Sequence, residues 1–532
     1  MRKGALSIYA LLMCMTVVFL ICGCSAADEA KISSASDLNQ AGYIIGVPEG
    51  TPPEEVAKEY MPNAEISYFT QFIDGVAALK SGKATAVIYD SSGVDRILLS
   101  NPDLIKLPEE LGNIEIATVV GLNNTGLNDQ INAFIKQIHE DGTADEMVTR
   151  WIDNIGGKMP DIPKPQNPEK KLTIITNGMT EPMNYYENGQ LTGYDIEFMK
   201  RFANYANIDF EIVTMDYAAM IPALQSGKGD IIISDFFKTD ERGQEVLYSD
   251  AYVVLHNSVL VRKTMYNGVV ENADGTVTTN ENQTGIGSFF GSLQNSFNKT
   301  FIVEDRYKLV LDGLWTTIVI SLLSLVFGSI LGALICAMRK SRSRLLSGIA
   351  IVYIRLIQGV PIVLTLMILY YILFASVDID PVLIAVVGFS INFAAYSAEI
   401  FRTAIDATDK GQLEAAYALG FTKVSSFFKV TLPQALRHIL PIFKGEFISM
   451  VKMTSVVGYI AIQDLTKMTD IIRSRTFDAF FPLFVTAFIY FVITYLFIIV
   501  LGKIEVQVDP KRRKRIVKGI VDPEARAMEV VK

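Results

Sequence analysis

The chain has 532 residues, half of them hydrophobic, and a formal net charge of −9. Its length suits about three or four folded units, and its apolar share exceeds that of an ordinary soluble protein. Acidic residues crowd roughly the first 310 positions and basic clusters flank later apolar segments. This asymmetry excludes a typical nucleic-acid binder and fits an exported domain joined to a membrane domain.

In chain order, the first element is an export signal: Arg2-Lys3, then the apolar run Leu11 to Ile21, then Ile21-Cys22-Gly23-Cys24. Cys14, Cys22, Cys24 and Cys336 are the only cysteines, so the region beyond Cys24 up to the membrane has neither a disulfide framework nor a cysteine zinc site. Two alternating strand–helix regions follow, Ser33 to Asp153 and Lys171 to Arg262, separated by a Pro-rich joint, Met159 to Lys170, expected to be extended. The segment Thr264 to Gly285 reads as a flexible tether. Phe289, Leu293, Phe297 and Phe301 recur every four residues. They predict a helix that either lies in a membrane surface or packs against the first span.

Five spans of about 20 apolar residues are expected at Leu309–Met338, Leu346–Phe374, Pro381–Phe401, Ile439–Ile462 and Phe480–Leu501. Gly359 and Pro361 interrupt the second. Arg339, Lys340, Arg342 and Arg344 after the first span, and Lys511 to Arg515 after the last, put those ends in the cytoplasm; Asp378 and Asp380 fall outside. Polar groups within spans are costly and mark pathways or partners. Asn392, Tyr396 and Glu399 on the third span and Glu446 on the fourth are the translocation-path candidates; mutual neutralisation of Glu446 with Lys452, or of Glu399 with Arg402, is the plain alternative. No G-x-x-x-x-G-K-[ST] motif occurs anywhere, so the chain carries no phosphate-binding loop of its own.

Between the third and fourth spans lie Glu414-Ala415-Ala416, Gly420, and Leu432-Pro433 with Arg437. Small alanines admit close approach, Gly420 permits a sharp break, and Pro433 starts the next segment. With the phrases "AYSAEIFRTAIDATDKGQLEAAYALGF" and "KVTLPQALRHILP", this stretch resembles the EAA loop of the polar amino acid ABC permease family, over roughly the last 220 residues. The family usually shows Arg-Gly-Thr-Pro where this chain has Gln358-Gly359-Val360-Pro361, with Arg355 one turn earlier.

The second exported region ("EPMNYYENGQLTGYDIEFMKRFA", "TDERGQEVLYSDAY") resembles the first lobe of a type II amino acid binding protein. The first region ("SDLNQAGYIIGVPEGT", "GVAALKSGKATAVIYD") resembles its second lobe. The resemblance implies a two-lobed α/β, periplasmic-binding-protein-like (type II) domain, circularly permuted, followed by an all-α transmembrane ABC permease domain with five core spans. The expected divisions are 1–24 lipoprotein-type signal, 25–158 second-lobe-like, 159–170 linker, 171–263 first-lobe-like, 264–308 tether and interfacial helix, 309–503 permease, and 504–532 cytoplasmic tail. Cys24 resembles a lipidated lipoprotein cysteine; an uncleaved anchor helix is the alternative.

The resemblance also implies site roles. Arg242 takes the ligand carboxylate and Asp90 its ammonium, while Thr51 offers its backbone N–H. Ser234 and Phe237 contact the head group, and Tyr217 lies beneath the side chain. Asn177 stands where an aspartate often appears, Thr180 where an aromatic stacks, Pro52 removes a donor, and Asp235 replaces a small polar residue. Glu181 and Asp235 would favour a cationic side chain. Glu414, Ala415, Ala416 and Gly420 would grip the ATPase. No cofactor or metal is implied, because ATP is bound by a partner subunit. The implied partners are that ATP-binding ABC subunit, a second permease copy (identical or related), a small-molecule amino acid and the cell membrane, with the binding domain outside. A ligand-gated channel or an amino acid sensor built on the same lobes is the alternative. No TVGYG-like filter is present, and no signalling module follows the last span.

Overall fold

The computed structural model describes residues 31–49, 51–154, 156–239, 242–267, 286–375, 377, 379–478 and 480–508. The expected signal with Cys24, most of the expected tether and the basic tail lie outside the described residues. The chain falls into two compact units, Met1–Ile114 with Leu255–Gln283, and Glu115–Val254 with Thr284–Lys532.

The first unit alternates β1 (Ile44–Pro48), α1 (Pro52–Tyr60), β2 (Glu65–Phe69), α2 (Phe72–Lys80), β3 (Ala86–Asp90) and α3 (Ser91–Ser100). Strand β1 pairs in parallel with both β2 and β3, and residues 257–261 of a later strand run antiparallel to β3. Parallel neighbours need a crossover, which α1 and α2 supply. Ile45, Val47, Ile88, Val259 and Val261 fill the core with Leu38.

The second unit begins within β4 (Leu104–Gly121) and continues with α4 (Thr125–Glu140) and α5 (Thr143–Val148). No helix or strand lies between Met159 and Lys170, as the Pro-rich composition predicts. Next come β5 (Lys171–Thr176) and the small sheet of β6 (Met179–Thr180), β7 (Asn184–Glu187) and β8 (Gln190–Thr192). They are followed by α6 (Tyr194–Tyr205), β9 (Asp209–Thr214), α7 (Met220–Gln225), β10 (Ile231–Ile232) and β11 (Val246–Arg262). Strand β5 pairs in parallel with β9 and β10, and β10 runs antiparallel to β4. The second unit thus repeats the strand pattern of the first.

The compact units cut across the divisions 25–158 and 171–263. Helix α4 sets Phe134 against Phe198, centroids 5.2 Å apart, and the Trp151 indole donates to Glu197 Oε2 at 2.6 Å. Residues 115–153 therefore pack with 171–254. The reason is that β4 and β11 are long and uninterrupted, and each passes from one unit into the other with no turn to mark the change.

The membrane part of the second unit holds α8 (Ile286–Phe297), α9 (Tyr307–Arg339), α10 (Arg344–Gly359), α11 (Ile362–Ile368), α12 (Pro381–Asp406) and α13 (Lys410–Ala418). It continues with α14 (Lys423–Ser426), α15 (Leu432–Met453), α16 (Leu465–Thr476) and α17 (Phe481–Val508). Helices α9, α12 and α17 are long and apolar enough to cross a membrane, and up to five spans result if each of two bent pairs is counted as one. One pair bends by 108° at the Gly359–Pro361 break; the other, 423–460 with 465–476, bends by 60°. The helix that covers most of the expected fourth span, α15, starts at Leu432, and a polar helix, α16, that apolar-run counting does not detect follows it. Helices α9 and α12 approach through small residues: a Cβ on Gly332 would stand 2.8 Å from Ser397 Cβ. Of the four-spaced apolar residues, Leu293 and Phe297 are exposed, whereas Phe301 packs with Val310 and Leu465.

Candidate functional site

In the first unit, Asp90 ends β3 and caps α3. Its Oδ1 accepts from Gly93 N at 2.8 Å and from the Ser92 hydroxyl at 2.6 Å. The residue is fully buried, and among the described residues Oδ2 has no hydrogen-bond partner. Burial pushes its carboxyl above the usual range, opposed by the Ser92 and Gly93 bonds. One oxygen thus holds the helix, and the other is not engaged by it. Thr51 is the N-cap residue of α1; its hydroxyl donates to Pro48 O at 2.6 Å, and Pro52 opens the helix.

In the second unit, Asn177 and Ser234 come together at the ends of β5 and β10: Asn177 N donates to Ser234 Oγ at 3.0 Å. The Asn177 amide donates to Thr180 Oγ1 at 3.0 Å, and its Oδ1 accepts from Met179 N at 2.9 Å. Asp235 has left-handed backbone, φ 50°, and donates its N–H to Asp195 Oδ2 at 3.0 Å. Phe237 is buried and its carbonyl accepts from the Tyr248 hydroxyl at 3.2 Å. Tyr217 stacks on Phe236, centroids 4.9 Å apart. Arg242 opens a 3-10 turn, Arg242–Gln244, in place of the first turn of an α-helix; its side chain lies outside what is described.

Asp195 organises this region, and sequence reasoning passed over it inside the phrase "GYDIEF". It is fully buried and accepts from the Tyr252 hydroxyl at 2.6 Å and Asn184 Nδ2 at 2.7 Å as well as from Asp235. Burial raises its pKa to about 6, against these three bonds, which lower it. The Glu181 carboxylate pairs with Arg475 of α16.

On the helical side, Asn392 is buried on α12 and Tyr396 half-buried beside it. Glu399 pairs with Arg339 and, at 3.0 Å, with Arg402. The neutralised alternative therefore describes Glu399. Among the described residues Glu446 pairs with no cation, Lys452 included; the ion pair from its helix is instead Lys444 to Glu505, 2.8 Å. Asp409 caps α13 by accepting from Gly411 N at 2.8 Å. Glu414 and Ala415 are exposed there, and Ala416 is buried. Gly420 has φ 81°, so the break between α13 and α14 uses the backbone freedom of glycine. Leu419, Val424 and Phe428 are exposed around it.

The family of bacterial extracellular solute-binding proteins, family 3, matches residues 172–418, and the binding-protein-dependent transport system inner membrane component matches residues 324–513. The L-cystine transport system permease protein TcyB of Bacillus subtilis (strain 168) is 36% identical over 39% of this chain and 90% of its own length. A probable amino-acid ABC transporter permease protein of the same organism is 35% identical over 37% of this chain and 87% of its own. A solved amino acid ABC transporter with histidines is 36% identical, covering 38% of this chain and 94% of that one, with a TM-score of 0.36. The chain belongs to the amino-acid ABC transporter permease family, and it carries a solute-binding domain in the same polypeptide.

Proposed function

We propose that the chain captures a polar amino acid outside the cell membrane and admits it through its own helices, driven by ATP hydrolysed on a separate subunit. The observation that carries this reading is the presence of a solute-binding match and a permease match in one polypeptide. Asp90 takes the ammonium through its unpartnered oxygen, and Arg242 takes the carboxylate as a planar fork. Ser234 and Asn177 line the head group. Asn392, Tyr396 and Glu446 remain on the path; Glu399 serves as the neutralised end of α12.

The binding domain is circularly permuted. The order of the two lobe-like regions supports this, the second-lobe-like one coming first, with 159–170, which has no helix or strand, joining the old termini. The helices make five spans, two of them bent, and place the EAA loop in the cytoplasm. There Glu414, Ala415, Ala416 and Gly420, with exposed Leu419, Val424 and Phe428, form the grip for the ATPase. A second permease copy completes the pathway, and lipid on Cys24 secures the exported end.

The test is uptake of the twenty labelled amino acids into vesicles holding the full chain, with and without a co-expressed ATPase and ATP. Accumulation only with both supports the reading. Substrate equilibrating without nucleotide, or a ligand-evoked ion current, favours a channel and overturns it.

A further inference from the structure

Within the second unit, the lobe at Glu115–Val254 and the membrane helices share one set of buried groups. Met215, Met220 and Phe236 from the lobe lie in the same apolar cluster as Leu366, Val457 and Ile460 from the helices. Polar pairs ring this cluster. Lys467 on α16, whose side chain is 2% exposed, has Asp216 at 2.6 Å as its ion-pair partner. Gln463 Nε2 donates to Tyr186 Oη at 2.9 Å and to Thr214 Oγ1 at 2.7 Å. Lys228 Nζ reaches out of the lobe to the carbonyls of Phe374, at 2.6 Å, and Val377, at 2.9 Å, at the end of the broken second span. Arg475 gathers Glu181, Glu187 at 3.3 Å and Glu304 at 3.0 Å. Backbone also meets backbone: Asp216 N lies 3.4 Å from Gly458 O, and a Cβ on Gly458 would stand 2.8 Å from the Asp216 carboxylate.

A receptor that docks and leaves needs a surface tolerable to water in both states, and transient interfaces are accordingly polar. This contact fails that requirement. Separation would expose a shared apolar core and strip a buried ammonium of its counter-ion, a change that costs far more than exposing a surface pair.

We propose that the Glu115–Val254 lobe is a fixed part of the permease, seated on its own chain in every state of the cycle, with Asp216–Lys467 and Glu181–Arg475 as its fastenings. This deepens the transport reading and rests on it for the meaning of the cycle, while its geometry is independent of which amino acid is carried. The ligand signal then needs no docking step. Asn177 and Thr180 share a hydrogen bond, and Glu181, next in sequence, grips Arg475 on α16, so a change at the head group is one residue from a membrane helix.

The test is a cross-link between Thr214→Cys and Gln463→Cys, made with a short bis-methanethiosulfonate in native membranes, in the full chain whose four natural cysteines are replaced by serine. Thr214 Oγ1 and Gln463 Nε2 are 2.7 Å apart, within reach of such a linker, and neither residue belongs to the two fastenings. The expected result is the same cross-link yield, within about 1.5-fold, in buffer, with a mixture of the twenty amino acids, and with ATP plus vanadate. Uptake by the cross-linked chain should stay within about threefold of the reduced chain. A yield that changes fivefold or more with amino acid or nucleotide overturns the proposal, as does uptake that is abolished by the cross-link and restored by reduction.

Hydrogen exchange on the unsubstituted chain reads the same state if the cysteine variant does not fold. The amides of 214–220 and 457–463 should stay protected without amino acid, and a tenfold or greater gain in exchange on its removal overturns the proposal. If the unsubstituted chain takes up none of the twenty amino acids, the transport reading fails, while the resting cross-link and the exchange pattern still report on the seating.

Discussion

One oxygen of Asp90 caps α3, and a single substitution separates that cap from the proposed ammonium contact of the other. Asparagine caps helices about as well as aspartate, so Asp90→Asn should leave α3 intact while removing the charge offered to an ammonium. Calorimetry of the full chain against the twenty amino acids should then show binding weakened about 100-fold or more, with melting temperature nearly unchanged. Asp195 makes a separate, pH-dependent prediction. Its pKa rises from the ordinary 3.8 to about 6 on folding, so the native state holds its proton more tightly than the unfolded chain. Its contribution is present below about pH 4 and is lost as pH rises through about 6, a swing on the order of 3 kcal/mol. Melting curves of the solubilised chain from pH 4 to 7 should show this fall, and Asp195→Asn should flatten that part of the profile. The cap at Asp90 was legible in the sequence because a strand ends on it before a Ser-Ser-Gly turn. Asp195 was not, because nothing local distinguishes a buried hub from an exposed acidic residue in the first turn of a helix. The pairing of Glu181 was not legible for a related reason: its partner, Arg475, lies 294 residues away.

Among the elements, legibility followed chemistry that is local. The break at Gly359 and Pro361, the turn at Gly420 and the unstructured Pro-rich joint are all dictated by residues in place. Gly420 can be tested directly. At φ 81° a β-branched side chain is strained, so Gly420→Val should cost roughly 1–2 kcal/mol locally and re-aim α14. Amino-acid-stimulated ATPase activity in the complex should fall about tenfold while ligand affinity stays within twofold, because the variant sits far along the chain from Asp90 and Asn177. Helix α16 shows the opposite case. "LTKMTDIIRSRT" is too polar to register as a span, and its Lys467 and Arg473 are buried against other parts of the fold. Only tertiary partners make such a helix stable, so propensity and hydropathy are silent about it.

At the level of the whole chain, the strand–helix alternation, the apolar run of the second half and the charge asymmetry made the class of each half legible. The division into compact units was not, because β4 and β11 carry the chain through both units without a change in composition. The segment 159–170 offers a test at this scale. It has no helix or strand, so cleavage at a protease site inserted there should leave amino acid affinity within about threefold. An insertion of the same site within β11, at Val253–Val254, should abolish binding, since that strand is continuous from Val246 to Arg262.

Met215 and Phe236 lie in one cluster with Val457 and Ile460. A trap built into the same core as its gate fixes their ratio at one to one. Raising extracellular receptor abundance cannot then speed such a transporter, and receptors of different taste cannot take turns at a common pore. A cell that needs a second substrate would have to duplicate the entire gene, where an organism with free receptors need only duplicate the small one.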